Sequence, residues 1–283
     1  MKNLVRSRFK TSPCPVCGRK AKISYNHQDG EIYRCQKCSH SFYDVERVKL
    51  ETYSKDYFKT KHKNWFKNPN ICLFQKLFRI IQQNKGNRIL DAGCGNGDLL
   101  LFLRKHDPSL QLIGVDKAMG KGIQGITFQR EDIEKVKINK KMDVVVSLAV
   151  IEHVKNPLVF LNKLKNLTRV NGRIIIMTLN EGSIIYQLAR KLKSWGVDFA
   201  FERLYSSHHL NHFSRTSLHK LLGKAGIEIE ESFTHNFPKA AVDFESRGVV
   251  TDIFIRNVIF ILFLAGLVLQ RSFLQTVVGR NKP

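Results

Sequence analysis

The stretch "LDAGCGNGDLL", Leu90 to Leu100, decides how the rest of this 283-residue chain is read. An apolar run ends in Asp91, glycines follow at positions 93, 95 and 97, and an apolar-rich helical segment, "GDLLLFLRKH", begins at once. The glycines let the backbone turn sharply and approach a ligand closely, and the N–H groups that open the helix are free donors. The segment therefore reads as a strand, a ligand-binding turn and a helix. Outward from it the pattern repeats. "LIGVD" (112–116), "ITFQRED" (126–132), "DVVVSLAV" (143–150) and "RIIIMTL" (173–179) are strand-like runs, and "NPLVFLNKLKNL" (156–167) is helical. Alternating strands and helices from Arg88 predict an α/β domain, a parallel sheet with helices on both faces and its ligand site beyond the carboxyl ends of the strands.

A glycine turn alone could equally begin a dinucleotide site. The carboxylates narrow the reading: Asp91 precedes the glycines, Asp116 ends the second strand, where it can accept from both hydroxyls of a ribose, and Asp132 follows the third. In order, "LDAGCGNGDLL", "GVD", "QREDI", "SLAVIEHV" and "NGRIIIMTLN" resemble the motifs of class I S-adenosylmethionine-dependent methyltransferases over roughly residues 88–236. The last two motifs do not fit a dehydrogenase. "VIEHV" is similar to ubiquinone-pathway O-methyltransferases. The cysteine-rich N-terminus followed by "YSKDYF" is similar to a bacterial subgroup associated with surface-glycan and cell-envelope genes.

The resemblance implies a Rossmann-like, seven-stranded methyltransferase sheet and S-adenosyl-L-methionine as cofactor. Asp91, Gly93 and Gly95 would hold its methionine part, Asp116 the ribose, and Asp132 with Ile133 the adenine; Ser147 and Leu148 would line it at the fourth strand end. The implied chemistry is in-line transfer of the sulfonium methyl, and an oxygen nucleophile must also lose its proton. Glu152, His153 and His212 are the candidates for that catalytic work. Each has an alternative. Glu152 and His153 could instead hold the following loop, or bind a divalent cation as in some quinone methyltransferases. His212, in "SSHHLNHFSRTSLHKLLGKAG", could orient the acceptor or bond the backbone.

At the N-terminus, "CPVCGRKAKISYNHQDGEIYRCQKC" (14–38) holds two Cys-x2-Cys pairs separated by 17 residues. Each pair points two thiolates at one ion and the spacer fits one hairpin, so Cys14, Cys17, Cys35 and Cys38 predict a structural zinc ribbon. His27 and His40 are superfluous to such a site. The expected divisions are the ribbon at 1–45, a connector and helix at 46–85, and the methyltransferase domain at 86–283 with an apolar helical insertion at 237–271. In the connector, Tyr53, Tyr57, Phe58, Trp65 and Phe66 alternate with lysines, which suits stacking on bases or, preferably, packing on the next domain.

The chain carries 47 Lys and Arg against 24 Asp and Glu, a net +23, so its partners are expected among polyanions or anionic membrane surfaces. No secretory signal is visible, which predicts a cytoplasmic protein. "VIFILFLAGLVL" (258–269) is its most apolar run: about 18 Å as a helix, too short to cross a bilayer core of about 30 Å. It lies between "IEIEESFTHN" (227–236) and "SFLQTVVGRN" (272–281), the expected sixth and seventh strands. Peripheral contact with the inner face of the cytoplasmic membrane, homodimer formation and burial are its three possible roles. The preferred acceptor is a glycan, lipid-linked or other small molecule with a hydroxyl group. The alternatives are an RNA methyltransferase that binds nucleic acid through its basic ribbon and a non-catalytic zinc-ribbon binding protein.

Overall fold

The computed structural model describes residues 11–48, 63–84, 86–118, 123–242 and 248–283. The connector aromatics Tyr53, Tyr57 and Phe58 and the side chain of Phe66 lie outside them. Five parallel strands form the centre of the main sheet: β5 (Arg88–Ala92), β6 (Gln111–Val115), β7 (Thr127–Gln129), β8 (Met142–Leu148) and β9 (Thr168–Leu179). Two more, β11 (Ile227–His235) and β12 (Leu274–Asn281), complete the order β11-β12-β9-β8-β5-β6-β7, with β12 antiparallel to both neighbours. The expected α/β class and seven strands are observed.

Period-two alternation explains why the sheet is covered twice. Leu90, Val145, Ile174 and Ile176 face α4 (Pro157–Leu167) and α7 (Arg215–Lys224) through Phe160, Leu164, Leu218 and Leu221. Their neighbours Ile89, Val144, Val146 and Ile175 face α2 (Ile71–Gln82), which follows the short α1 (Lys63–Lys67), and α3 (Asp98–His106). A strand buried on both faces has no polar positions to spare, hence the unbroken apolar runs. Helix starts follow local chemistry. The side chains of Asn70, Asn156 and Ser214 accept from the backbone N–H of Leu73, Val159 and Ser217, each satisfying a donor that the first turn leaves open.

The N-terminal module is built from β1 (Thr11–Pro13), β2 (Lys20–His27), β3 (Gly30–Arg34) and β4 (Ser41–Tyr43), and its fifth strand comes from far along the chain: β10 (Asn211–His212) pairs with β4. The two Cys-x2-Cys turns close alike. Gly18 N–H donates to the Cys14 carbonyl and Ser39 N–H to the Cys35 carbonyl, both at 2.8 Å. Cys14 Sγ lies 3.6 Å from Cys38 Sγ, and Cys17 Sγ 3.4 Å from Cys35 Sγ. The four sulfurs converge within 4.8 Å, a donor set that fits a tetrahedral structural zinc. His27 and His40 are engaged elsewhere, with the Glu202 carbonyl and the Asn211 side chain.

The module is seated on α5 (Ile184–Ser194) and α6 (Phe199–Leu204), with Ile32 and Tyr43 packed against Tyr186, Phe201 and Tyr205. Buried Glu181 ties them together: Oε1 accepts from Arg34 at 2.5 Å and from Ser41 and Tyr205 at 2.7 Å each.

The apolar insertion departs from expectation in length. It forms α8 (Val249–Val268), 20 residues, because Arg256 and Asn257, read as interruptions of the apolar run, are ordinary helix residues. At about 1.5 Å per residue it reaches about 30 Å, so the argument that it is too short to cross a bilayer fails. The strand argument stands. Because His235 pairs with Leu274 and Leu274 with Leu179, the chain leaves the sheet for α8 and returns to it at the same end, the carboxyl end of the parallel strands.

Candidate active site

At that end, β5 delivers Asp91 and then turns through Gly93, Gly95 and Gly97 into α3. Gly93 has φ +85, and a Cβ there would lie 2.3 Å from Val150 Cγ2, so the loop tolerates no side chain. Asp116, at the end of β6, fixes the loop from beside it: Oδ2 accepts from Gly95 N–H at 2.9 Å and Oδ1 from Ala118 N–H at 2.8 Å. A cavity of about 110 Å³ opens over the loop, with Asp91, Gly93, Gly95, Asp98, Leu148 and Ala149 on its floor and Trp65, Phe74, Met177, Phe237 and Leu274 in its walls. Ala149 has φ +55, an uncommon conformation for a residue with a Cβ, and it swings the chain out of β8 along the cavity edge.

The electrostatics favour a cationic ligand. Asp91 is buried, and its Oδ1 has no hydrogen-bond partner among the described residues. Burial, followed by the charges of Asp116 and Asp98, pushes its carboxyl up to about 8. Three carboxylates around a glycine turn, one with an unmet acceptor, form a site that an ammonium or sulfonium group would satisfy. The donor set fits the methionine part of S-adenosyl-L-methionine.

The remaining sequence-derived residues fall in different places. Asp132 lies beyond β7, with Oδ2 3.0 Å from Lys117 Nζ and Oδ1 accepting from Glu134 N–H, while Ile133 is buried beside it. Ser147 does not face the cavity: it is buried and donates to the Ala92 carbonyl at 2.9 Å, locking β8 to β5. Glu152 is also buried and accepts from Thr178 Oγ1 at 2.8 Å, and burial raises its carboxyl to about 7. His212 lies within the strand pair that joins the ribbon to the main domain, 3.5 Å from the Tyr186 hydroxyl, and burial lowers it to about 3. Asp116, Asp132, Ile133, Glu152, His153 and His212 are not among the residues that line the cavity. His153 is half-buried and sits beside His208, whose carbonyl is 2.8 Å from His153 Nδ1.

Sequence reasoning missed the cavity walls. Trp65 and Phe237, whose rings pack 5.2 Å apart, come from segments 172 positions apart and carry no motif. Trp65 does confirm, for one connector aromatic, the packing reading.

A parallel sheet of this order, with an antiparallel strand inserted next to the last and a glycine turn over an acidic strand end, defines the class I S-adenosylmethionine-dependent methyltransferase architecture. Residues 69–232 match the family model described as a methyltransferase domain, and the chain belongs to that family. Among curated proteins it is similar to the ubiquinone biosynthesis O-methyltransferase of Rickettsia canadensis, 30% identical over 153 residues, 50% of this chain and 63% of the relative. It is also similar to that of Rickettsia bellii, 28% identical over 208 residues, 66% of this chain and 84% of the relative. The chain thus spans less than two thirds of the length of the first of these relatives. Two solved structures share the fold. The Burkholderia thailandensis 1,6-didemethyltoxoflavin-N1-methyltransferase, holding 1,6-didemethyltoxoflavin and S-adenosylhomocysteine, has a TM-score of 0.53 at 11% identity, covering 92% of this chain and 99% of its own. A chain from a Haloferax volcanii complex of a methyltransferase with the Trm112 methyltransferase activator has a TM-score of 0.52 at 13% identity, covering 81% and 93%.

Proposed function

We propose that this protein transfers the methyl group of S-adenosyl-L-methionine to a hydroxyl oxygen of a small, glycan or lipid-linked acceptor at the inner face of the cytoplasmic membrane. The observation that carries the chemistry is the buried, under-satisfied Asp91 carboxylate at the glycine turn, opening on the cavity. Asp91, Gly93 and Gly95 would hold the methionine part of the cofactor, Asp116 its ribose, Asp132 and Ile133 its adenine, and Leu148 would line it. When bound, the cofactor supplies a methyl group on a sulfonium, ready for attack. The protein's own contribution is mainly to hold the acceptor oxygen in line and keep the pair together. As the new bond forms, the oxygen gives up its proton. Of the three candidates only His153 is exposed enough to meet an acceptor; Glu152 and His212 are buried. An oxygen acceptor is supported by the relatives, which are named as O-methyltransferases.

The membrane part of the reading is supported by α8. Over Thr251–Val268 its mean hydropathy is 2.0 and only 11% of the window is buried. Phe254, Ile261, Leu264, Leu267 and Val268 are exposed. Among its described large side chains Phe263 alone is buried, and its ring meets that of Phe237 in the cavity wall, 5.2 Å away. Lys239 Nζ lies 2.9 Å over the Phe260 ring, a basic group beside an apolar face, as an anionic bilayer surface would demand. A helix whose two ends return to one sheet edge lies in the interface rather than across it. From there an acceptor with a lipid tail would meet the cavity through Phe237.

The experiment is transfer of labelled methyl from S-adenosyl-L-methionine to cell lipid and RNA extracts, together with flotation on vesicles containing anionic lipid. Label in the lipid or glycan fraction and flotation lost in an Ile261→Asp, Leu264→Asp variant are expected. Label confined to RNA would overturn the acceptor class. A wild-type protein that does not float, or concentration-dependent dimers that the same variant abolishes without vesicles, would overturn the membrane assignment.

A further inference from the structure

His153 lies five positions beyond the end of β8, and His208 and His209 lie in the turn that leads into β10. The fold brings these separate segments together: one ring nitrogen from each histidine lies within 4.8 Å of the other two. Their ring centroids are 4.4 Å (His153–His208), 4.9 Å (His153–His209) and 5.4 Å (His208–His209) apart. We propose that His153, His208 and His209 bind one divalent transition-metal ion at the carboxyl end of the sheet, separate from the four-cysteine site.

The surroundings support a metal centre more than a chance cluster. Two hydrogen-bonded segments position the rings. His153 N–H donates to the Val150 carbonyl at 2.9 Å, His209 N–H to the Ser206 carbonyl at 3.0 Å, and Ser207 N–H to Asp29 Oδ2, from the ribbon, at 2.8 Å. The tautomer of His153 is also set. A carbonyl can only accept, so Nδ1, 2.8 Å from the His208 carbonyl, carries the proton. Metal-binding histidines are held in this way, the second nitrogen donating to a carbonyl or carboxylate.

The donor set also selects the ion. The expected carboxylate ligand, Glu152, is turned away and bonded to Thr178, leaving imidazole nitrogens, which suit zinc, iron, nickel or copper and not magnesium. A zinc site with three protein ligands keeps a fourth position for an oxygen donor, the pattern of catalytic rather than structural zinc. The chemical role rests on the methyl-transfer reading: an acceptor hydroxyl bound there would give up its proton to solvent more readily as its oxygen attacks. Binding itself does not depend on that reading.

The test is a Co²⁺ titration of the full-length, zinc-loaded protein, followed by visible absorption and by metal content after desalting. Expected is saturable d–d absorption without a thiolate-to-cobalt charge-transfer band. In His153→Ala, His209→Gln and the double variant His208→Ala, His209→Ala, affinity should fall by at least the roughly 10–100-fold that loss of an outer-shell partner costs a site. Each variant should retain its cysteine-bound zinc and the near-ultraviolet circular dichroism of the parent, which separates lost binding from lost folding. Absent saturable absorption, equal affinity in folded variants, or displacement of cobalt by equimolar magnesium would overturn the proposal. Cobalt binding without methyl transfer would sink the functional reading and leave the site standing.

Discussion

Replacing Asp91 by Asn should make the ligand-free protein more stable and its cofactor binding weaker. The side chain is buried, its Oδ1 is unsatisfied among the described residues, and burial with the neighbouring Asp116 and Asp98 raises the carboxyl from its ordinary value of 3.8 to about 8. A raised carboxylate pKa means that the folded state holds the proton more tightly than the unfolded chain. Its stabilising effect is full below the unfolded value, near 4, and is lost as pH rises towards 8. A displacement of roughly four units is worth about 5 kcal/mol at 1.36 kcal/mol per unit, an upper bound. An amide of the same shape removes the charge but leaves a buried polar group costing about 1–3 kcal/mol, so a net gain of about 2–4 kcal/mol is expected at pH 8 and little at pH 4. Urea unfolding of both proteins across that range measures it. Isothermal titration with S-adenosyl-L-methionine at pH 8 should show affinity at least about tenfold lower, since a charge-assisted hydrogen bond contributes about 1.5–3 kcal/mol. A variant less stable than the parent at pH 8 would refute the buried-charge argument, and unchanged affinity would refute Asp91 as the cofactor's partner.

Glu181→Ala should cost about 3–5 kcal/mol, because Arg34 and Arg190 lose the buried carboxylate between them, while Ser41 and Tyr205 lose their acceptor. Thermal unfolding should also show the ribbon loosening before the sheet, and a change below about 1 kcal/mol would mean the network is not what seats the ribbon. Stability should decline on acidification from pH 6.5. His40 and His212 are lowered to about 3 and His235 to about 4, all chiefly by burial, so the unfolded chain takes up protons first and the stabilisation present at neutral pH is lost as pH falls. A melting temperature that stays flat between pH 7 and 4 would contradict this.

Much of the site was legible before any coordinates. Asp91, Gly93 and Gly95 do meet at one cavity with Leu148, because a strand end, a turn and a helix start are local, and their chemistry is written in adjacent residues. The four cysteines converge because each pair is a short turn and the spacer is one hairpin. Ser147, Glu152 and His212 illustrate the opposite case. Each stands in a recognisable motif, yet the hydroxyl of Ser147 is spent on Ala92, the carboxylate of Glu152 on Thr178, and His212 is enclosed by Tyr186 and Tyr205. Which side chain a loop presents and which it buries is set by what packs behind it.

The sequence by itself determined the sheet, the glycine turn, the ribbon and the return of the last two strands, since periodicity, spacing and turn chemistry act over a few residues. Only the tertiary structure decided that the ribbon sheet takes Asn211 and His212 as its last strand, that Trp65 and Phe237 wall the cavity, and that three histidines from two loops come within 4.8 Å of one another through one ring nitrogen each. It also decided that α8 lies largely exposed at the cavity end of the sheet. These are contacts between segments tens to hundreds of residues apart. Each segment is compatible alone with several surroundings, and only the closing of the whole chain selects one.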